Sequence, residues 1–390
     1  MKLPIYLDNN STTPVDPRVF DEMRPFFIDQ FGNAASKQHS FGWIAESAVD
    51  KARQRAASLL NVEPKEIIFT SGATESNNIV IKGIAEAYLS KGNHIITSSI
   101  EHPSVLESCR SLEKRGFEIT CLSVDKYGLI DLQELSDTIT QKSILVSIMS
   151  SNNEIGTIQP VKEIAKICNE KNVLFHTDAA QSVGKVPFDV QRLGLDLASV
   201  SAHKMYGPKG IGALFVKKRK PKIQIHPIIS GGWHEQGLRS GTLNVPSVVG
   251  FGKACELAQL EMNDEIEKTR KLRDKFLSNL IKEFRDIKLN GHQQKRLPGN
   301  LNIRFEDISS DLLFAEIKDV AFSSGSACST SKAEPSHVLR EIGLNENEIR
   351  NSIRLGIGRF NTDEEIDYVS NKFINVIKKL KSMNPFVTAH

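Results

Sequence analysis

Between about residues 43 and 216, short β-rich runs alternate with helical patterns, and this alternation restricts the chain to a small set of folds. The runs fall at 67–70, 94–98, 117–124, 144–150, 173–178, 197–201 and 211–216. Segments between them, such as 45–60 and 161–168, carry apolar residues at helical spacing, so each has a face able to cover a sheet. Strands linked in this way predict an α/β fold with a doubly wound sheet. From about residue 247 the pattern becomes one long charged amphipathic helix to about 284, then strands at 301–305 and 353–357, then a last helix opened by Thr362 and Glu365 at capping-box spacing. That change predicts a large α/β domain over 16–260 and a smaller α+β domain formed by 1–15 and 261–390.

In open α/β sheets ligands collect at the carboxyl ends of the strands, so the polar residues just after each run are the informative ones. After 67–70 comes SGATESNN, a small-residue turn entering a helix, whose backbone N–H groups and Thr74 hydroxyl suit a phosphate. Read alone, such a turn is more often plain capping chemistry. The next runs lead to Glu101-His102-Pro103, to Asn152-Asn153-Glu154, to Asp178 followed by Gln181, and to Ser201-Ala202-His203-Lys204. A carboxylate buried on a strand is costly unless paired, so Asp178 is expected to face a cation, and a protonated pyridine nitrogen would serve.

A single lysine such as Lys204 is ordinarily a solvated surface residue, and a single histidine such as His102 is ordinarily structural or exposed. Their company changes the reading. A Schiff-base amine, a carboxylate for a pyridinium, a ring able to stack and shuttle protons, and a phosphate turn are the parts that pyridoxal phosphate (PLP) chemistry requires.

Bulk properties narrow the rest. The 50 basic and 47 acidic side chains nearly cancel, so no global field favours nucleic acid or an anionic membrane. The run Lys217-Lys218-Arg219-Lys220 reads as a solvated strand end, with docking of acidic partners as the alternative and direct nucleic-acid binding not expected. Five cysteines without a C-x-x-C pair argue against a disulfide framework and against an intrinsic metal site, and fit a reducing setting, read as cytoplasmic with an organelle matrix left open. No stretch approaches the roughly 20 apolar residues of a membrane span. Cys109, Cys121, Cys168 and Cys255 lie in helical or strand patterns and read as small buried hydrophobes. Cys328, in SSGSACSTSKAEPSH, lies in a Gly/Ser-rich stretch that reads as a mobile loop.

The segments YLDNNSTTPVDPRV, FTSGATESNN, SIMSSNNEIGTIQP, TDAAQSVGK, SAHKMYGPKGIGA, RSGTLNVP, SSGSACST and RLGIGRF occur in family order. Through them nearly the whole chain resembles the NifS/IscS-like cysteine desulfurases, the housekeeping iron-sulfur cluster assembly type within class V of the aminotransferase superfamily. The resemblance implies a PLP-dependent transferase of fold type I, with a large mixed sheet beside a smaller domain. It implies that Lys204 is the Schiff-base lysine, that Asp178 partners the pyridine nitrogen, that Gln181 donates to the phenolic oxygen and that His102 stacks on the ring. Ala73, Thr74, Ser201 and His203 would hold the phosphate. Thr242 would reach the phosphate of a neighbouring subunit in an obligatory homodimer. Asn153 would touch both cofactor and substrate, and the Arg354 fork suits the carboxylate of L-cysteine.

On the same basis Cys328 would capture the substrate sulfur as a persulfide, with alanine as the other product. Lys204 would act as base and His102 as a neighbouring acid/base. Sulfur would pass to an iron-sulfur scaffold protein and other acceptors, with Cys328 transiently ligating a [2Fe-2S] cluster there and a frataxin-like acidic accessory protein as a further partner. The chain ends at PFVTAH soon after its last helix, whereas the housekeeping type usually carries a longer docking tail, so scaffold binding is implied less firmly than catalysis. Two alternatives stay open: a selenocysteine lyase or other β-eliminating enzyme that does not use the Cys328 thiol, and a non-catalytic scaffold that kept the fold.

Overall fold

In a computed structural model, which describes residues 2–324 and 335–383, the seven β-rich runs form one sheet. The strands are, in chain order, β1 (Ile5–Tyr6), β2 (Ile67–Thr70), β3 (His94–Ser98), β4 (Glu118–Leu122), β5 (Ser143–Ser147), β6 (Leu174–Asp178), β7 (Leu197–Ser201) and β8 (Gly212–Val216). The sheet order is β2-β8-β7-β6-β5-β3-β4. β8 runs antiparallel to both its neighbours while the other adjacent pairs are parallel, so the sheet is mixed.

Side chains alternate across a strand, and the sheet is buried on both sides as that alternation requires. Ile67, Phe69, Phe175, Val200 and Phe215 pack on one face under the helices Ser40–Leu60 and Val161–Glu170. Ile68, Leu174 and Leu214 pack on the other under Ala73–Ala87 and Pro103–Glu113. Helices on both faces make it doubly wound.

The remaining strands are β9 (Lys288–Leu289), β10 (Asn300–Arg304), β11 (Val320–Ala321), β12 (Ser323–Ser324) and β13 (Ser352–Gly356). Four of them form an antiparallel sheet in the order β12-β13-β10-β9, and β1 pairs with β11. The helix Val245–Glu283 joins the two cores: its residues through Ala258 lie in the large one, and Leu272, Phe276 and Leu280 lie in the small one. Ile5 and Leu7 belong to that second core. The last helix, Asp363–Met383, has the reciprocal cap expected of it, with the Glu365 N–H donating to Thr362 Oγ1 at 3.2 Å and the Thr362 N–H donating to Glu365 Oε2 at 3.1 Å.

Several features differ from the sequence expectation. The run 144–150 is a strand only through Ser147, and beyond it Met149 and Ser151 line the cavity described below. Cys109, Cys168 and Cys255 are buried, but Cys121 is exposed. It sits on β4, the edge strand, where no further strand among the described residues pairs with its outer side. The basic run, in contrast, is the solvated strand end expected, just past β8 with Lys218 and Lys220 exposed: Lys217 and Arg219 approach Asp196 Oδ1 at 4.0 and 3.5 Å, and Lys218 lies 3.1 Å from Glu63 Oε2. Among the described residues no helix is long and apolar enough to cross a membrane.

Candidate active site

The carboxyl ends of β2, β3, β5, β6 and β7 open into one cavity of about 570 Å³. Its lining brings together Ala73, Thr74, His102, Asn153, Asp178, Gln181, Ser201, His203 and Lys204, nine positions proposed from sequence. Residues 70 positions and more apart in the chain meet here because parallel strands put their carboxyl ends on the same edge.

At one end of the cavity the helix Ala73–Ala87 begins. Its N-cap is Gly72, at φ 146°, and no side chain caps it. Uncapped N–H groups at the positive end of a helix of 15 residues make an anion cradle. Space is tight behind it: a Cβ on Gly212 would meet Gly72 Cα at 2.7 Å, so β8 can lie against the turn only as glycine. His203 is fixed beside the cradle by an Nδ1 contact of 3.0 Å to Thr12 Oγ1. Burial, reinforced by Lys204 and Lys209, pushes its pKa down to about 4, so it is a neutral ring at physiological pH.

Asp178 is buried at the end of β6, and its carboxylate receives the Asn77 Nδ2 at 2.8 Å and the Ala180 N–H at 3.0 Å. Neither donor carries charge, so the burial cost of the carboxylate is met in full only by a cation within the cavity. Lys204 Nζ donates to the carbonyls of Asn10 at 2.8 Å and Ser11 at 2.6 Å. Gln181 is clamped from both sides: its Nε2 donates to Asn10 O at 2.9 Å, and its Oε1 receives Lys185 Nζ at 3.0 Å. A carboxylate for a ring nitrogen, an amide beside an amine, and an anion cradle at the far end fit PLP in size and in chemistry.

His102 is held by Ser104, whose backbone N–H and Oγ lie 3.1 and 2.8 Å from His102 Nδ1. The neighbouring Glu101 is fully buried, with Oε1 accepting from Ser98 Oγ and the Met149 N–H at 2.6 and 2.8 Å, and with Oε2 unpartnered among the described residues. Burial, with a smaller contribution from Asp178, pushes its pKa up to about 8.

Arg354, on β13, lies just outside the lining and almost wholly buried. Its Nη2 contacts Asp8 Oδ1 at 2.9 Å, Ser11 Oγ at 2.6 Å and Ser323 Oγ at 3.1 Å, and its Nη1 donates to Asn153 O at 3.3 Å. Thr242 is exposed and does not line this cavity. Cys328 and its Gly/Ser-rich stretch lie outside the described residues, as does the PFVTAH terminus. The flanking residues are held near the cavity: Ser323 by Arg354, Ser336 by Glu154 Oε2 at 2.5 Å, and His337 by a 3.0 Å contact of its Nε2 with Glu101 O.

Sequence reasoning missed the residues that hold these groups. Asp8, Asn10, Ser11 and Thr12 come from a polar stretch with no strand or helix pattern. The segment YLDNNSTTPVDPRV marks the stretch as part of the resemblance but gives no one of these residues a role. Asn77, Ser104 and Lys185 sit on or beside helices, where polar residues ordinarily face solvent.

Comparison with known proteins identifies the family. The aminotransferase class-V family matches residues 5–369. The cysteine desulfurase IscS of Rickettsia rickettsii is 51% identical over 385 residues, 99% of this chain and 94% of that protein. The mouse cysteine desulfurase is 50% identical over 382 residues, 98% of this chain and 83% of its own. Among solved structures, a NifS-like protein superposes with a TM-score of 0.89 at 38% identity, covering 96% of this chain and 99% of its own. SspA in complex with cysteine does so at 0.80 and 37%, covering 92% of this chain and 100% of its own.

Proposed function

The chain belongs to the class-V aminotransferase family, among its NifS/IscS-like cysteine desulfurases, and from that premise we propose how its residues divide the work of turning L-cysteine into L-alanine. The observation that carries this reading is the meeting of Lys204, Asp178, Gln181, His102 and the Gly72–Thr74 cradle around one cavity. PLP, when bound, supplies an electron sink that labilises the substrate's α-hydrogen and makes its sulfur a leaving group.

Lys204 Nζ is the covalent anchor of the cofactor and, once released, carries the proton at the substrate's α-carbon. Asp178 holds the positive charge of the ring nitrogen, and Gln181 Nε2 donates to the phenolic oxygen. Ala73, Thr74, Ser201 and His203 hold the phosphate, His102 stacks and serves protons at the substrate sulfur, and Asn153 orients both molecules. Arg354 binds the substrate carboxylate. Cys328 Sγ takes the sulfur, so that cysteine and one thiol become alanine and one persulfide with no external oxidant. The pinned flanks of its stretch, Ser323 and Ser336, support delivery to this cavity.

The exposed position of Thr242, together with exposed Phe20, Phe27, Phe31, Phe41 and Trp43, supports a homodimer in which Thr242 completes the partner's phosphate site. Passage of the helix Val245–Glu283 from one core to the other supports the division into 16–260 and 1–15 with 261–390. The persulfide sulfur goes to an iron-sulfur scaffold protein and other thiol acceptors in the cytoplasm, with the acidic accessory protein as a further partner. The deciding experiment incubates the purified yellow protein with L-cysteine and measures alanine together with the mass of the Cys328 peptide. Stoichiometric alanine and one added sulfur on that peptide are expected; alanine without the added sulfur points instead to a lyase.

A further inference from the structure

The catalytic reading leaves the charge state of the His102 ring unexplained, and the hydrogen bonds behind it supply a cause. Asn77 Nδ2 lies 2.8 Å from Asp178 Oδ2 and 2.8 Å from Ser104 Oγ. Only the amide nitrogen can donate to a carboxylate, so Asp178 fixes which way the Asn77 amide points. The second amide hydrogen then falls on Ser104 Oγ, which must accept it. Asn77 Oδ1 is left buried without a partner among the described residues, a cost that the opposite orientation would exceed by setting an oxygen against Asp178. With its oxygen already receiving, Ser104 turns its own hydrogen to His102 Nδ1 at 2.8 Å. The Ser104 backbone N–H converges on the same nitrogen at 3.1 Å.

We propose that Asn77 and Ser104 are positioning residues that transmit the fixed charge of Asp178 to His102, locking its ring as the neutral tautomer with the proton on Nε2. Two donors meeting at Nδ1 leave no acceptor there for a second ring proton, so the relay opposes the imidazolium form. Other groups act on the same ring: burial lowers its pKa, Asp178 opposes that, and Lys204 and His337 add to it. Glu101, next in the chain, is buried beside it. A histidine stacked in a PLP site could present either an acceptor or a donor, and this relay makes it a hydrogen-bond donor from Nε2 at the start of the cycle. The inference rests on the proposed function for its use, but the ring state stands apart from turnover.

The test is nitrogen NMR of the holoenzyme labelled at histidine, with the His102 ring signals among the ten histidines identified by their loss in His102→Gln. An unprotonated Nδ1 and a protonated Nε2 are expected across roughly pH 6 to 8. Ser104→Ala should raise the ring pKa by about half to one unit and admit the Nδ1–H form. Ser104→Thr, which keeps the hydroxyl, should restore the parent signals, and Asn77→Ala should shift the ring in the same direction as Ser104→Ala without touching it. A ring protonated at Nδ1 in the parent enzyme, or unchanged by Ser104→Ala, overturns the relay. Failure of the parent enzyme to make alanine from cysteine would sink the functional reading alone, since the ring signals do not depend on turnover.

Discussion

Arg354 Nη2 lies 2.9 Å from Asp8 Oδ1, so the guanidinium proposed to receive the substrate carboxylate already holds a carboxylate of its own chain. Asp8 thus supplies the charge that lets Arg354 remain buried in the free enzyme, and it competes with the substrate for the same fork. Opposite effects follow from the two partners. Arg354→Gln should raise KM for L-cysteine about 10- to 100-fold, the equivalent of one or two charged hydrogen bonds, with PLP content unchanged. Asp8→Asn should lower KM several-fold while reducing the melting temperature, because an uncompensated buried charge remains. Steady-state kinetics with thermal melts check both, and KM values moving in the same direction would sink the competition.

Lys204 Nζ donates to two backbone carbonyls, which can only accept, and this main chain stays in place whatever side chain stands at 204. Lys204→Ala should therefore fold normally, retain PLP only reversibly, and give no covalent adduct on borohydride reduction. Mass spectrometry of the reduced protein is the measurement; an adduct that persists on another lysine contradicts the anchor.

Cys328→Ser removes one sulfur and leaves Lys204, Asp178, Gln181 and His102 as they are. The variant should stay yellow and bind cysteine, shown by a change in the visible spectrum, while alanine production falls by at least about 100-fold, the loss expected when the sole nucleophile is removed. Full activity in this variant would assign sulfur release to simple elimination.

The sequence made the scaffold of this site legible because strand-end polarity survives in one dimension. Asp178, His102 and Lys204 each stand at the end of an apolar run, and a run of that kind has only one side on which a charged group can be used. Their supports lack that contrast. Ser104 and Asn77 look like ordinary polar helix residues until folding sets them between two strand ends, 27 positions apart in the chain. Asn10 and Ser11 act largely through backbone carbonyls, which carry no side-chain signature at all. Cys121 departs from the buried expectation because strand order is a property of pairing: the same run would be buried in the middle of the sheet and is exposed at its edge.

Glu101 gives the stability of the protein a definite pH dependence. Its pKa rises from 4.5 unfolded to about 8 folded, so the folded state binds this proton more tightly than the unfolded chain does. The associated stabilisation is complete below about pH 4.5 and is lost progressively as pH rises toward 8, above which a buried carboxylate with one unpartnered oxygen must be charged. Lys185 acts in the opposite sense over a higher range. Burial chiefly lowers its pKa from 10.5 to about 7, so this lysine costs stability below about pH 7 and the cost fades as pH climbs toward 10.5. Between pH 7 and 8 both groups are changing, and Glu101→Gln separates them. Glutamine keeps an oxygen for Ser98 and the Met149 N–H but cannot ionise, so the variant should equal or fall slightly below the parent at pH 5 and exceed it at pH 9. Denaturant melts of the holoenzyme at the two pH values measure the crossover. Curves for parent and variant that stay parallel from pH 5 to 9 would mean that Glu101 titrates alike in the folded and unfolded chains, and that the cluster behind His102 is not protonated as its burial requires.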